Sequence, residues 1–137
     1  MKVTSSLKNS SENGGSRHSK GQDSRSTILL TAAKLATTKG LAGLSIGDLA
    51  AAVGMSKSGL YAHFKSKEEL EVATIEASAG IFHRELLQPA LKAPAGIERI
   101  EALVGSFLAY LERGVFPGGC FFASVAAELD TRPGPAR

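Results

Sequence analysis

The chain has 137 residues, 43% of them apolar, with no Trp, a single Cys and a formal net charge of +3. That length suits one domain, or one domain and part of another. Cys120 alone excludes an internal disulfide and points to a reducing cytoplasm, and the longest uncharged run, Gly114 to Ala127, is too short and too broken by Pro117 for a membrane span.

The charge is unevenly placed. Residues 24–67 hold six Lys/Arg against Asp48 alone, whereas residues 68–137 hold six against ten acids. A basic middle of this kind suits a polyanionic partner. Residues 1–23 are rich in Ser, Gly, Asn and Lys, with Val3 and Leu7 as their sizeable apolar side chains. They cannot bury enough surface to offset chain entropy, so a disordered basic tail is expected, with neither an apolar block nor a secretory signal.

From Thr27 the pattern turns helical. Ile28, Ala32 and Leu35 fall at i, i+4 and i+7, and Gly40 stops the helix after Lys39. In "LSIGDLAAAVG", Ser45 is an N-cap candidate with Asp48 three residues on, Ile46, Leu49, Ala50 and Val53 form the apolar stripe, and Gly54 supplies the left-handed stop. Ser56 can cap a short third helix from Lys57 to His63. Ser66 and Glu69 form a second capping box and open a fourth helix through Leu70, Ala73, Ala77 and Ile81 towards Leu87. Pro89 and Pro94 bracket a predicted break. Beyond it, Ile97, Ile100, Val104, Phe107, Leu108 and Leu111 share one face of an amphipathic helix that Gly114 and Pro117 end. The segment "GGCFFASVAAELD" reads as a buried helix. No run alternates with period two, so an all-α fold is expected.

A helix, a glycine turn and a short helix make the arrangement of a helix-turn-helix. Leu60 and Phe64 can anchor the short helix from beneath, leaving Lys57, Ser58, Gly59, Tyr61, Ala62 and His63 to face outward. Such a surface, with donors and minimal side chains, can enter a groove roughly 12 Å wide. Lys67 sits in the first turn of the next helix, where a cation opposes the helix dipole; a neighbouring phosphate would account for it. No Gly-rich phosphate loop follows a strand, no nucleophile elbow occurs, and His18, His63 and His83 lack metal-ligand spacing. An enzyme, a metal site or a cofactor is therefore not expected. A helical module that binds protein, or an inactive remnant, remains the alternative to a DNA-binding regulator.

"LSIGDLAAAVGMSKSGLYAHFKSKEEL" resembles the N-terminal DNA-binding domain of the TetR family of bacterial transcriptional regulators, from about Thr27 to Ile75. After the disordered basic tail expected over 1–23, the resemblance implies a three-helix helix-turn-helix domain over 24–66 and a partial helical domain for ligand binding and dimerisation over 67–137. It places base and phosphate contacts at Ser45, Lys57, Ser58, Gly59, Tyr61, His63 and Lys67. It also implies a cytoplasmic, ligand-responsive repressor that acts as a homodimer on a palindromic operator in double-stranded DNA. An effector pocket would lie among Phe82, Leu86, Phe107, Tyr110, Phe121 and Phe122. Gly47 stands where members often carry arginine or another polar residue, and Ala36 where phenylalanine is common. Members continue past the point matching Arg137 into helices that build the dimer interface, so the chain is expected to be a truncated product or a fragment.

Overall fold

The computed structural model describes residues 15–131 and 133–134. Every element among them is helical: α1 (Gly15–Lys39), α2 (Ile46–Val53), α3 (Lys57–Tyr61), α4 (Lys67–Phe82), a π-helical turn (His83–Leu87), α5 (Gln88–Leu91), α6 (Ile97–Glu112) and α7 (Phe121–Thr131).

Local chemistry explains the helix ends. The side chains of Ser45, Ser56 and Ser66 accept from the backbone N–H groups of Asp48, Gly59 and Glu69, capping α2, α3 and α4. Only half of each capping box closes. The Asp48 carboxylate turns to Lys39 at 3.1 Å, and Glu69 accepts from the Lys65 amide rather than that of Ser66. Gly54 ends α2 at φ +68, and Met55 N–H bonds to the Ala50 carbonyl at 2.9 Å, the six-residue closure of a Schellman motif.

Two apolar clusters share α1. Its Ile28 and Ala32 join Leu44, Leu49, Ala50, Leu60, Phe64, Leu70 and Ala73. Its Ala33 and Ala36 join Leu41, Tyr110, Phe116, Cys120, Phe121 and Val125. Small residues at 32, 33 and 36 let neighbours approach this helix on both sides. Ala36, where phenylalanine is common in the family, is fully buried in the second cluster together with Leu41 and the aromatics.

Three expectations are corrected. The tail predicted over 1–23 is helical from Gly15 onwards, and residues 1–14 lie outside the described ones. Residues 20–27, largely exposed, extend a helix anchored by the buried segment from Ile28, and extension costs little once a nucleus exists. Thr27 and Ser24 also hydrogen-bond back to the carbonyls of Asp23 and Lys20. Secondly, Pro89 does not break the chain. It sits in the first turn of α5, directly after the π-helical turn, so the widened ladder absorbs the missing N–H. The break comes at residues 92–96, around Pro94. Thirdly, the short helix ends at Tyr61, and Ala62 and His63 form a turn.

The stripe on α6 faces water. Ile97, Ile100, Val104 and Leu108 are each more than half exposed, whereas Tyr110, on the opposite face, is buried. Arg113 at the end of α6 pairs with Glu85 in the π-helical turn at 2.8 Å.

Candidate nucleic-acid interface

The five-residue helix α3 carries the candidate site. Leu60 is 1% exposed and Phe64 2%, so α3 and the turn after it are pinned from below by the first apolar cluster. Lys57, Ser58, Tyr61 and Ala62 are exposed, and Tyr61 stands half in solvent. Lys57 and Tyr61 are four residues apart and therefore adjacent on the helix surface. Gly59 and His63 are half-buried. A Cβ on Gly59 would come within 3.2 Å of the Ser56 Oγ that caps the helix, so a bulkier residue there would press on the cap.

Ser45 and Lys57 come together across α2 and α3. A Cβ at Gly47 would lie 3.3 Å from Cε and 3.6 Å from Nζ of Lys57, and 3.9 Å from the Ser45 Oγ. The Lys57 side chain thus lies over the first turn of α2, in the room that Gly47 leaves. It makes no hydrogen bond or ion pair among the described residues. Lys67 is differently employed: its ammonium donates to the Ala42 carbonyl at 2.9 Å and lies 3.9 Å from the Glu71 carboxylate.

Arg25 is a residue that sequence reasoning missed. Its guanidinium lies 4.3 Å from the Phe64 ring centroid, and it donates to the His63 carbonyl at 2.8 Å. It therefore secures the turn after α3 from the side of α1, by a cation–π contact and a charged hydrogen bond together. A separation of 38 residues hid the contact. At the other side of the motif, Lys39 holds the Asp48 carboxyl below its ordinary value of 3.8, by hydrogen bond and charge, with the Ser45 hydroxyl assisting.

Of the six residues expected to line an effector pocket, the five aromatic ones form a contiguous group. Phe82 meets Tyr110 and Phe122 edge-on at 6.0 and 5.6 Å, Phe107 stacks on Tyr110 at 6.3 Å, and Phe121 meets Phe122 at 5.4 Å. Leu86, Tyr110 and Phe121 are buried, and Phe82, Phe107 and Phe122 are half-buried. Phe116, not expected there, completes the group against Tyr110 and Phe121. Burial, with the Cys120 thiol second, pushes the Tyr110 phenol up to about 12.

Residues 28–74 match the family model described as "Bacterial regulatory proteins, tetR family", and residues 96–137 match "Tetracyclin repressor-like, C-terminal domain". The crystal structure of a TetR transcriptional regulator from Chloroflexus aurantiacus J-10-FL superposes with a TM-score of 0.74 at 33% identity, over 87% of this chain and 60% of that one. A second crystal structure, AibR in complex with isovaleryl coenzyme A and operator DNA, gives a TM-score of 0.69 at 29% identity, over 83% of this chain and 60% of that one. The chain thus spans 60% of the length of either. No curated protein matches it.

Proposed function

Because the chain belongs to the TetR family of bacterial regulatory proteins, we propose that it binds double-stranded DNA as a sequence-specific transcriptional regulator, with α3 as the reading helix. One observation carries this reading. A five-residue helix is pinned by Leu60 while Lys57, Ser58 and Tyr61 are left in solvent. Lys57 can reach the acceptors of a guanine in the major groove, and Ser58 and the half-exposed Tyr61 supply further donors. In this reading Ser45, His63 and Lys67 are assigned to phosphate oxygens, and the excess of cations over residues 24–67 supplies the general attraction. The division into a reading unit over 24–66 and a regulatory unit over 67–137 belongs to this proposal.

The regulator is proposed to be a ligand-responsive repressor of the cytoplasm. AibR is described with both an acyl-coenzyme A and operator DNA, which supports an effector site among Phe82, Leu86, Phe107, Tyr110, Phe121 and Phe122 here. A palindromic operator would engage two such chains as a homodimer, with half-sites about 34–36 Å apart. A second reading, a helical module that binds protein, draws on the exposed stripe of α6.

Selection from a random duplex pool at low salt separates the two readings. Enrichment of a common motif is expected, with affinity falling steeply between about 50 and 200 mM salt. Lys57→Ala should relax the preference at one position by about 1–3 kcal/mol. Failure to enrich any duplex would favour the module.

A further inference from the structure

The turn between α1 and α2, residues 40–44, is held from two directions. Glu128, on α7, accepts the N–H of Leu41 at 2.8 Å through Oε2 and the N–H of Ala42 through Oε1. Lys67, on α4, donates to the carbonyl of that same Ala42. One residue, Ala42, is thus held at its N–H by one helix and at its carbonyl by another. Gly40 makes the approach possible: its φ is +78, and a Cβ there would stand 3.1 Å from the Glu128 carboxylate. A second tie lies beside the first. Gly118 N–H, just ahead of α7, donates to the Thr37 hydroxyl near the end of α1 at 3.2 Å.

The turn leads straight to the site. Leu41 is buried in the second apolar cluster and Leu44 in the first. The next residue, Ser45, caps α2, whose first turn carries the Lys57 side chain. On the far side, Glu128 shares α7 with Phe121 and Phe122 of the aromatic group. We propose that Glu128 is a positioning residue: by holding the Leu41 and Ala42 amides it sets the turn that orients α2 and α3, and ties that orientation to α7. The proposal rests on the reading of α3 as the DNA-contacting helix.

Charge and positioning predict opposite signs, which makes a clean test. Glu128→Gln and Glu128→Ala remove a negative charge from a DNA-binding chain, which by electrostatics alone tightens phosphate binding. The clamp requires weaker binding. In the 137-residue chain, hydrogen exchange at the Leu41 and Ala42 amides should speed up about tenfold in Glu128→Ala, given the strength of hydrogen bonds to a charged acceptor. Backbone amide shifts of Ser45–Gly47 and Ser56–Ala62 should move in Glu128→Gln while far-UV circular dichroism stays helical. Affinity for an enriched duplex should fall about three- to tenfold in both variants. Glu128→Asp keeps the charge with a shorter reach and should fall between them and the parent, which guards against a variant that merely misfolds. Unchanged exchange, unmoved α3 shifts, or equal or tighter DNA binding would overturn the proposal. A parent chain that binds no duplex would overturn the functional reading instead, and the clamp is then decided by exchange and shifts alone.

Discussion

The phenol of Tyr110 is 1% exposed, and its ionisation is held up to about 12 by burial first and by the Cys120 thiol second. The consequence for stability has a definite sign. Below pH 10 the phenol is neutral in both folded and unfolded chains, and its contribution is fully present. Between pH 10 and about 12 the unfolded chain gives up the proton and the folded chain keeps it, so stability is lost across that window. The loss should total on the order of 2–3 kcal/mol in urea unfolding followed from pH 9 to pH 12, and Tyr110→Phe should lack this part of the decline. An equal decline in the variant would mean that the hydroxyl is not responsible. At this scale the sequence was legible where partners are close along the chain. The caps at Ser45, Ser56 and Ser66 span three residues each, and all three form. Arg25 on His63 and Glu128 on Leu41 are separated by 38 and 87 residues. Nothing in composition or spacing brings such pairs together. Lys67 shows the same limit, since reasoning from the helix dipole asked for a neighbouring phosphate, and within the protein its ammonium already has the Ala42 carbonyl, 25 residues away in sequence.

Between elements, the turn before α7 lies tightly against the end of α1. A Cβ built on Gly118 would fall 1.9 Å from the Thr37 carbonyl oxygen and 2.7 Å from the Thr37 Cβ. Neither backbone can yield without parting the two helices. Gly118→Ala should therefore destabilise the chain by about 1–3 kcal/mol or more, as overpacking does. Thermal unfolding measures the loss. Gly105→Ala, on α6 with open space around it, is the control and should not destabilise the chain. Periodicity predicted the helices well because it reports which residues share a face. It does not report what that face meets. Ile46, Leu49, Ala50 and Val53 turn towards the first cluster as their spacing suggests. The equally regular stripe of α6 turns outward, and Phe107 alone of its six residues packs against the second cluster. Pro89 misled for a related reason: a local rule about a missing N–H holds for an α-helix, and the helix there widens to a π-helical turn.

Across the molecule, α1 is the common wall of both clusters, so the half that carries α2 and α3 and the aromatic half are not independent bodies. Arg25, Thr37 and Lys39 on this one helix reach, respectively, the turn after α3, the turn before α7 and the first turn of α2. A disturbance at either end of α1 is therefore carried to the other by packing and hydrogen bonds rather than by a linker. The outward stripe of α6 has a thermodynamic counterpart. Aliphatic groups already hydrated in the native state contribute nothing new when the chain opens, so the heat-capacity increment of unfolding should fall below the usual figure of about 12–15 cal/mol/K per residue. The urea m-value should be correspondingly shallow, since it tracks newly wetted area. Calorimetry and denaturant titration of one sample check both, and values typical for the chain length would mean that Ile97, Ile100, Val104 and Leu108 are sheltered in solution. For such a chain, warming or cooling should move the folding equilibrium gently, because a smaller heat-capacity increment flattens the dome of stability against temperature.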